Sequence, residues 1–361
     1  MNAKLTRRAV LSAAPAAGAG LAAPAPASGV EVLSMTVSWG RGQAGVFDAA
    51  QYCADAVTEM SDGALRVDLY AAGERFGAFD VFDAVSDGRA DLGHSADYYY
   101  LDRHPGFAFY TTIPFGMTPE EFGDWRLHRG GAALHDELGK MFGLRLFPCG
   151  NTGAQPGGWF IRPIREVGDF QGLRFRMPGL GGEVLKRLGA EILQLPGLEV
   201  YQALSTGALD GTEWLGPWAD EKAGFMEVAK YYYVAGFHEP GTSLSLFANR
   251  ARFDALKPGQ RRIVETAAAA ADRWALHLFN SRNASALKRI EASGVNMMTF
   301  PDEVWDAFAD ASRDVLVEYE RDPLFARING AYQASLRDSS RWLSQSSGVF
   351  AARRRRVLGL P

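Results

Sequence analysis

The sequence has few cysteines and no excess of positive charge. Cys53 and Cys149 are the only two cysteines among 361 residues, and neither belongs to a CxxC pair or to another metal-binding spacing. Two lone thiols on apolar segments are more often buried than bridged, so we expect free thiols here. The formal net charge of −4 argues against a surface that binds nucleic acid.

The sequence also lacks the common signatures of catalysis. It contains no GxSxG elbow and no HExxH helix, and the GLGG stretch at 179–182 does not have the spacing of a dinucleotide-binding loop. His238 and Glu239 stand side by side, but Pro240 follows at once and no second histidine shares a helical face with them. These absences favour a binding protein over an enzyme.

A long uninterrupted apolar run is missing from the first 27 residues. This segment has three cations, no acid, a short apolar run broken by Pro15 and an Ala-Pro-Ala sequence at its end. That pattern is typical of an export signal and not of a membrane span. The Arg7-Arg8 pair favours the twin-arginine route, with plain secretion as the alternative, and predicts a periplasmic protein. Its removal would change the formal net charge from −4 to −7, because it takes away three cations.

From Val30 onward, segments with strand and helix patterns alternate. VEVLSMTVSW at 30–39 and ALRVDLYAAG at 64–73 have strand composition, and the amphipathic stretch at 47–61 between them predicts a helix. The same succession recurs between Gly172 and Trp214. Strands separated by helices favour parallel sheets, so we expect an α/β fold.

Two stretches, VFDAVSDGRADLGHS at 81–95 and VYQALSTGALDGTEW at 200–214, align without a gap. Each predicts a helix that ends at a glycine and leads through an aspartate into a short strand. The match indicates two similar halves, with His94 and Glu213 at equivalent strand ends. Since ligands bind beyond the carboxyl ends of parallel strands, these two residues would face each other across a cleft between two domains.

The C-terminal third predicts long helices. Residues 260–293 contain no proline or glycine, and as one helix they would span about 50 Å, enough to run along both domains. The segment 301–347 is again helical, with an apolar stripe that exceeds the needs of a finished domain and is therefore predicted to serve a partner subunit. That stripe comprises Val304, Trp305, Phe308, Val315, Leu316 and Tyr319.

Several polar residues are candidates for a binding site. Arg176 in GLRFRMPG stands at the carboxyl end of a predicted strand, where its guanidinium would suit a carboxylate; the alternative is a pair with a surface acid. Oxygen-bearing side chains in glycine-rich loops suit a hard cation such as sodium or calcium, although each one taken singly is more consistent with a loop cap. These side chains are Asn151, Gln155, Glu213 and Glu239.

Taken together, these stretches resemble the extracytoplasmic solute-binding subunits of TRAP (tripartite ATP-independent periplasmic) transporters. The resemblance rests on motifs spread almost continuously from Val37 to about Gly241. They are SWGRGQ, EMSDGALRVDLYAAGE, VFDAVSDGRADLGHSADYYY, TIPFGM, GNTGAQPGGWF, GLRFRMPG, VYQALSTGALDGTEWLGPW and YYYVAGFHEPG.

The resemblance implies a two-domain α/β fold like that of periplasmic binding proteins, with a long interdomain helix and extra C-terminal helices. Domain I would comprise residues 30–150 and 240–280, and domain II residues 151–239 and 281–325. Residues 326–361 would form a helical extension that joins two copies into a dimer. The implied role is capture without chemistry, followed by delivery to TRAP membrane permease subunits.

The Glu-Trp pair at 213–214 resembles the branch that binds 2-oxo acids and lactate. Carried over by motif, Arg176 would hold the carboxylate of a 2-oxo or 2-hydroxy monocarboxylate such as pyruvate or lactate. A cation would take oxygens from Gln155, Glu213, Glu239 and the Trp214 carbonyl. The substrate would be lined by Trp214, Asn151, Tyr99, Tyr100, His94 and Trp39.

Charge favours calcium over sodium in that site. Two glutamates, Arg176 and a monocarboxylate sum to −2, which a calcium ion would neutralise and a sodium ion would not. Two alternatives stay open. The same fold could bind a dicarboxylate, sugar acid or polyol, with Asp97 or Arg103 reading its far end; or an exported metal-dependent enzyme could use Glu213, Glu239 and His94 to activate water.

Overall fold

The computed structural model describes residues 29–360, so the predicted export signal at 1–27 lies outside the described residues. The strands of the described part fall into two sheets. Their bounds are β1 Glu31–Val37, β2 Leu65–Tyr70, β3 Leu92–Ser95, β4 Leu144–Asn151, β5 Gly158–Phe160, β6 Arg174–Arg176, β7 Glu191–Leu193, β8 Gly211–Thr212, β9 Tyr231–Tyr233, β10 Ser243–Asn249 and β11 Asn296–Met298.

Helices cover both sheets and continue to the end of the described chain. Their bounds are α1 Val46–Met60, α2 Val81–Ser86, α3 Ala108–Thr111, α4 Pro119–His128, α5 Gly131–Lys140, α6 Gly179–Arg187, α7 Gly197–Ser205, α8 Pro217–Ala223, α9 Phe225–Val228, α10 Arg250–Asp254, α11 Pro258–Ala292, α12 Asp302–Tyr319, α13 Pro323–Gln345 and α14 Ser347–Leu358. The predicted α/β class is confirmed. Within residues 29–360, no helix has both the length and the apolar content that crossing a bilayer requires.

Each sheet defines one lobe. The first lobe has the strand order β2-β1-β3-β10-β4, and the second has β11-β9-β5-β8-β6-β7. The expectation of parallel sheets was wrong for one strand in each lobe, since β10 runs antiparallel to β3 and β4, and β5 to β8 and β9. Through β5 and β10 the chain arrives from the other lobe. Each therefore starts at the edge where its neighbours end and runs the opposite way.

The two aligned stretches fold alike, as α2 followed by β3 and α7 followed by β8. Gly88 and Gly207 follow the helices with φ values of 74° and 72°, a left-handed conformation that glycine adopts without strain. Asp91 accepts a hydrogen bond from a backbone N–H of β1, and Asp210 accepts one from a backbone N–H of β6. The internal match therefore reflects one helix–turn–strand unit used once in each lobe.

Helix α11 is continuous for 35 residues and touches both lobes. In the first lobe its Asp272 accepts a hydrogen bond from the Gly150 N–H at 3.3 Å. In the second lobe the backbone N–H of Trp218 donates to Asn283 of α11 at 3.0 Å. The predicted long helix along both domains is therefore present.

The apolar stripe after Pro301 packs against the chain itself, so its predicted use by a partner subunit was wrong. In α12, Phe308 stacks on Phe237 with ring centroids 3.9 Å apart. In α13, Tyr332 packs on Phe109 at 5.2 Å and on Trp125 at 5.0 Å. Helix α12 thus covers the second lobe and α13 the first.

The predicted domain limits stay a prediction, and the limit between residues 325 and 326 falls inside the continuous helix α13. No break in secondary structure marks it. Cys53 in α1 and Cys149 in β4 are both buried, as free thiols.

Candidate functional site

The candidate site lies where strands of the second lobe end. Arg176 is the last residue of β6, and Glu213 directly follows β8. These strands are parallel and register Arg176 opposite Thr212, so the Glu213 N–H donates to the Arg176 carbonyl at 3.1 Å. Parallel pairing thus brings the two side chains to one edge of the sheet, although 36 residues separate them in the sequence.

Arg176 and Glu213 form an ion pair with both side chains 2% exposed. Nη1 of Arg176 donates to Oε1 of Glu213, and the guanidinium lies over the Trp214 ring, 5.2 Å from its centroid. Burial raises the pKa of the Glu213 carboxyl well above its usual range, although Arg176 opposes this shift. The sequence left open that Arg176 pairs with a surface acid; the acid that it pairs with is instead the buried Glu213.

Glu239 lies in the loop between β9 and β10 and is also buried. Its Oε2 accepts a hydrogen bond from the Thr242 hydroxyl at 2.5 Å. Burial raises the pKa of Glu239 to about 7, against the lowering effect of Thr242. Two carboxyl groups therefore lie in a region of low dielectric with Arg176 as their nearby cation.

Gln155 joins the cluster through its backbone and its side chain. Its N–H donates to the Glu239 carbonyl at 2.9 Å, and its Nε2 donates to Thr152 at 3.0 Å and Thr242 at 3.2 Å. Its Oε1 is buried and has no hydrogen-bond partner among the described residues. A buried carbonyl oxygen without a donor suits a cation, so these residues fit the ion that the sequence predicts.

His238 is the residue that the sequence reasoning missed. Ligand atoms of Glu213, His238 and Glu239 all lie within 4.8 Å of one another. Burial, reinforced by Arg176, lowers the pKa of His238 to about 3, so the imidazole is neutral. The only available signal was its position beside Glu239, which the sequence reasoning tested against a zinc-hydrolase motif alone.

His94 is held in the first lobe by two hydrogen bonds. Its Nδ1 accepts from Trp39 Nε1 at 2.7 Å, and its Nε2 lies 2.8 Å from the Cys149 carbonyl, to which it donates. Burial lowers its pKa to about 4. Because both nitrogens are used, His94 has no lone pair for a metal, and the histidine beside the two glutamates is His238.

The tyrosines of 98–100 face different ways. The Tyr98 hydroxyl lies close to Glu239, and that of Tyr99 lies close to Arg176. Tyr100 instead bonds the Ser95 hydroxyl at 3.0 Å and packs its ring on aromatic residues of the first-lobe core. The structure brings Tyr98 and Tyr99 close to the cluster, and Tyr100, which the sequence selected together with Tyr99, lines the adjacent cavity between the lobes.

Asn151 ends β4 and is buried, with its Oδ1 accepting from the Gly153 N–H at 2.8 Å. That bond is the loop cap that the sequence left open as an alternative. The Trp214 ring forms a wall of the site beside Arg176, and Trp39 contacts Tyr99 with ring centroids 6.2 Å apart.

Asp97 does not point to the carboxylates of the second lobe but belongs to a buried network of the first. It accepts from His135 Nε2 at 2.9 Å, and Nδ1 of His135 accepts from Arg126 at 2.5 Å. Arg103 pairs with Asp83 at 2.7 Å on the surface. The side chain of Asp97 is thus engaged elsewhere, which removes the basis for its reading the far end of a substrate.

A cavity of about 690 Å³ opens beside the cluster, between the lobes. The first lobe lines it with Tyr98, Tyr99 and Arg103, and the second with Met177 and Lys186. Tyr98 and Tyr99 line the cavity and also approach Glu239 and Arg176, so the cavity adjoins the cluster. The site therefore lies at the cleft between the lobes.

Residues 40–322 match the family described as bacterial extracellular solute-binding protein, family 7. A monocarboxylate 2-oxoacid-binding periplasmic protein of Nostoc sp. is 36% identical over 309 residues, which are 85% of each chain. The location in the periplasm is consistent with these matches.

Two solved structures are similar over 90% of this chain and 99% of their own. One is a TRAP periplasmic solute-binding protein from Pseudoalteromonas atlantica with bound sodium and pyruvate, 34% identical with a TM-score of 0.87. The other, from Colwellia psychrerythraea, has bound calcium and pyruvate, is 33% identical and also has a TM-score of 0.87. The chain therefore belongs to family 7 of the bacterial extracellular solute-binding proteins and is a periplasmic solute-binding protein of the TRAP type.

Proposed function

We propose that this protein captures a small monocarboxylate with a 2-oxo or 2-hydroxy group, such as pyruvate or lactate, together with a cation. The observation that carries the proposal is the buried Arg176 beside two buried carboxyl groups and the unpartnered Oε1 of Gln155. A guanidinium binds a carboxylate through two parallel hydrogen bonds, and the oxygens suit a hard cation. The pyruvate in the two similar structures supports the same chemical class.

The cation would be held by Gln155, Glu213, Glu239 and the Trp214 carbonyl. Between the two ions found in the similar structures, charge favours calcium here. With both glutamates ionised, the cluster and a monocarboxylate sum to −2, and a buried residual charge is costly. Trp214, Tyr99, Asn151 and Trp39 would line the organic part of the ligand, with Tyr98 added by its position near Glu239.

Entry of the ligand requires the lobes to move apart. Arg176, Glu213 and Glu239 are each no more than 2% exposed, so the described arrangement is closed over the cluster. A ligand that contacts both lobes favours the closed state by its differential affinity. Closure would then mark the loaded form for the TRAP membrane subunits, which carry the solute onward.

The protein would release its ligand chemically unchanged. The family is one of solute-binding proteins, and His94, which the enzyme alternative required, has both nitrogens engaged. Prolonged incubation of the saturated protein followed by mass analysis of the ligand checks this. Stoichiometric recovery of the intact acid is expected, and catalytic loss of the acid would refute it.

A tryptophan-fluorescence titration tests the proposal, because Trp39 and Trp214 lie at the site. Metal-stripped protein is titrated with pyruvate, lactate and a dicarboxylate, with and without calcium or sodium. Arg176→Ala should weaken binding about 10- to 150-fold, the value of a charged hydrogen bond. Arg174, two residues earlier on the same strand and paired with Asp210, is the matched control. Equal affinity in Arg176→Ala, Arg174→Ala and the parent protein would refute the assignment.

The proposal includes a homodimer, formed through α14 and the end of α13 instead of the stripe after Pro301. Large apolar side chains are exposed there, namely Trp342, Val349, Phe350, Val357 and Leu358. None of the residues of α14 is buried in the described chain. A second copy of this helix would cover such a surface.

A further inference from the structure

A single 3₁₀ turn, Asp97–Tyr100, brings two tyrosines of the first lobe across the cleft. The Tyr99 hydroxyl lies close to Arg176. The Tyr98 ring packs on Gly179 of the second lobe, where an added Cβ would lie 2.6 Å from Cδ2 of that ring. Any change in the direction of this turn would therefore move both tyrosines relative to the second lobe.

Asp97, the first residue of the turn, ties it to helix α5. Its side chain is buried, and its Oδ1 accepts a hydrogen bond from Nε2 of His135 at 2.9 Å. Within residues 29–360 this is the only hydrogen bond of the carboxylate, because Oδ2 has no partner there. The direction of the turn thus depends on where the imidazole of His135 points.

The imidazole of His135 is itself held from two sides. Its Nδ1 accepts a hydrogen bond from Arg126 of α4. Its ring lies flat on Tyr110, with centroids 3.6 Å apart and planes 4° from parallel. A neutral imidazole that accepts at Nδ1 carries its proton at Nε2, which is the atom that faces Asp97. Asp97, His135 and Arg126 therefore form one line of hydrogen bonds, which we call the anchor network.

Stability alone does not explain the anchor network. Its carboxylate, imidazole and guanidinium groups belong to residues no more than 7% exposed, and such groups are costly to desolvate. A buried ionic network is often no more stable than apolar side chains of the same volume. Apolar side chains do not supply direction, however, whereas a hydrogen bond weakens steeply when its atoms are misaligned. The network therefore specifies where the backbone of the turn lies.

We propose that Asp97, His135 and Arg126 are positioning residues, which hold Tyr98 and Tyr99 in the orientation that the bound carboxylate requires. The inference rests on the proposed function, because it concerns the same ligand. Groups that contact a ligand must be held within about 0.5 Å of their productive positions, by hydrogen bonds of the residues behind them. Without the bond from His135, the turn would keep its apolar packing and lose this alignment.

Pyruvate titrations of the full-length protein with calcium, followed by tryptophan fluorescence, test the anchor network. His135→Phe keeps the stack on Tyr110 and removes both hydrogen bonds, so it should weaken binding about tenfold. His135→Gln retains an amide N–H that can donate to Asp97. It should restore the affinity to within about threefold of the parent protein, because the direction of the turn is then specified again.

The matched control is Asn249→Ala, which also removes hydrogen bonds of the first lobe. Asn249 bonds the Val85 carbonyl at 2.9 Å and the Arg252 N–H at 3.1 Å. It lies beside the start of β3, whereas the turn follows the end of that strand. Asn249→Ala should lower the stability in urea unfolding and change the pyruvate affinity by no more than about twofold, because distant sites act independently.

A double-mutant cycle with Tyr99→Phe separates positioning from a general loss of stability. If His135 acts through Tyr99, removal of the Tyr99 hydroxyl leaves less for His135→Phe to disturb. The tenfold effect should then fall to about threefold or less, whereas Asn249→Ala should act independently of Tyr99→Phe. Should His135→Phe not fold, Asp97→Asn takes its place. It keeps the size of the side chain and removes the charge from the acceptor, so binding should weaken about fivefold.

A spectroscopic measurement of the turn needs no ligand. In protein that contains 3-fluorotyrosine, the ¹⁹F resonances of Tyr98 and Tyr99 are identified by their loss from Tyr98→Phe and Tyr99→Phe. They should shift in His135→Phe and return to their parent positions in His135→Gln.

Three outcomes overturn the inference: His135→Phe binds pyruvate as tightly as the parent protein, its effect is undiminished in Tyr99→Phe, or the two tyrosine resonances do not move. A parent protein that binds neither pyruvate nor lactate with any cation refutes the proposed function instead. The ¹⁹F spectra then still decide whether the anchor network positions the turn.

Discussion

Replacing Arg176 by methionine tests whether the buried ion pair organises the candidate site. The substitution keeps an apolar chain of similar length and removes the guanidinium that bonds Glu213 and lies over Trp214. Loss of one partner from a buried ion pair costs about 3–5 kcal/mol, because the remaining charge is left uncompensated. Glu213 can take up a proton instead, so we expect the lower end of this range for the metal-free protein.

The assay is urea unfolding of the metal-free protein, followed by circular dichroism. A double-mutant cycle with Glu213→Gln isolates the pair, since the double variant contains neither charge. We expect Arg176→Met to cost more in the parent than in the Glu213→Gln background, with a coupling of about 1–3 kcal/mol. The matched cycle of Arg174→Met with Asp210→Asn should give about 0.2–1 kcal/mol, because Arg174 is 40% exposed.

The result that would refute the reasoning is a coupling for the Arg176 cycle no larger than that for the Arg174 cycle. It would mean that solvent or local rearrangement compensates Glu213 as well as Arg176 does. The carboxylate clamp would then lack a rigid base in the closed cleft.

Three further predictions concern other parts of the molecule. Burial raises the pKa of Asp220 from 3.8 to about 7. The stability that this carboxyl contributes is therefore fully present below pH 3.8 and is lost as the pH rises through about 7. Asp220→Asn should flatten this pH dependence of the free energy of unfolding, measured by urea unfolding at several pH values. Gly197→Ala places a Cβ 2.2 Å from the Trp214 ring and should shift tryptophan emission and destabilise the protein by about 1–3 kcal/mol. Phe350 lies in α14 and is 62% exposed. Phe350→Glu should convert the proposed dimer to a monomer in sedimentation velocity, because it places a charge in the proposed apolar interface.

Each of these has an outcome that contradicts it. An unchanged pH profile in Asp220→Asn would show that this carboxyl does not titrate as described. Parent-like emission and stability in Gly197→Ala would mean that Trp214 moves aside freely. Leu127 is 76% exposed on the first lobe and serves as the control for α14; a parent protein that is monomeric, or an equal effect of Leu127→Glu, would refute the dimer surface.

Local patterns predicted much of the secondary structure around the site. The stretch GLRFRMPG predicted Arg176 at the carboxyl end of a strand, and β6 ends at that residue. Glycine after a helix and aspartate before a strand predicted the helix–turn–strand unit that leads to Glu213. The absence of proline and glycine from residues 260–293 predicted the long helix α11. These features depend on backbone conformations and spacings within a few residues, which a sequence displays directly.

Long-range pairing was harder to predict. Alternating strands and helices suggested parallel neighbours, but β5 and β10 insert antiparallel between strands far from them in the sequence. The hydrogen-bond partners of His94 were hidden for the same reason, because Trp39 and Cys149 are each 55 residues away. Its place in the substrate lining stays a prediction. No local pattern states which distant atoms will meet.

By itself, the sequence determined the α/β class, the long helix, the strand-end positions of Arg176 and Glu213, and the oxygen-rich loops that contain Gln155 and Glu239. Only the tertiary structure decided that Arg176 and Glu213 bond each other, that Tyr98 approaches Glu239, and that His238 lies unpartnered beside both glutamates. The physical reason is that propensity and capping act along the chain. Burial, charge pairing and ligand geometry depend on which segments the closed lobes bring together.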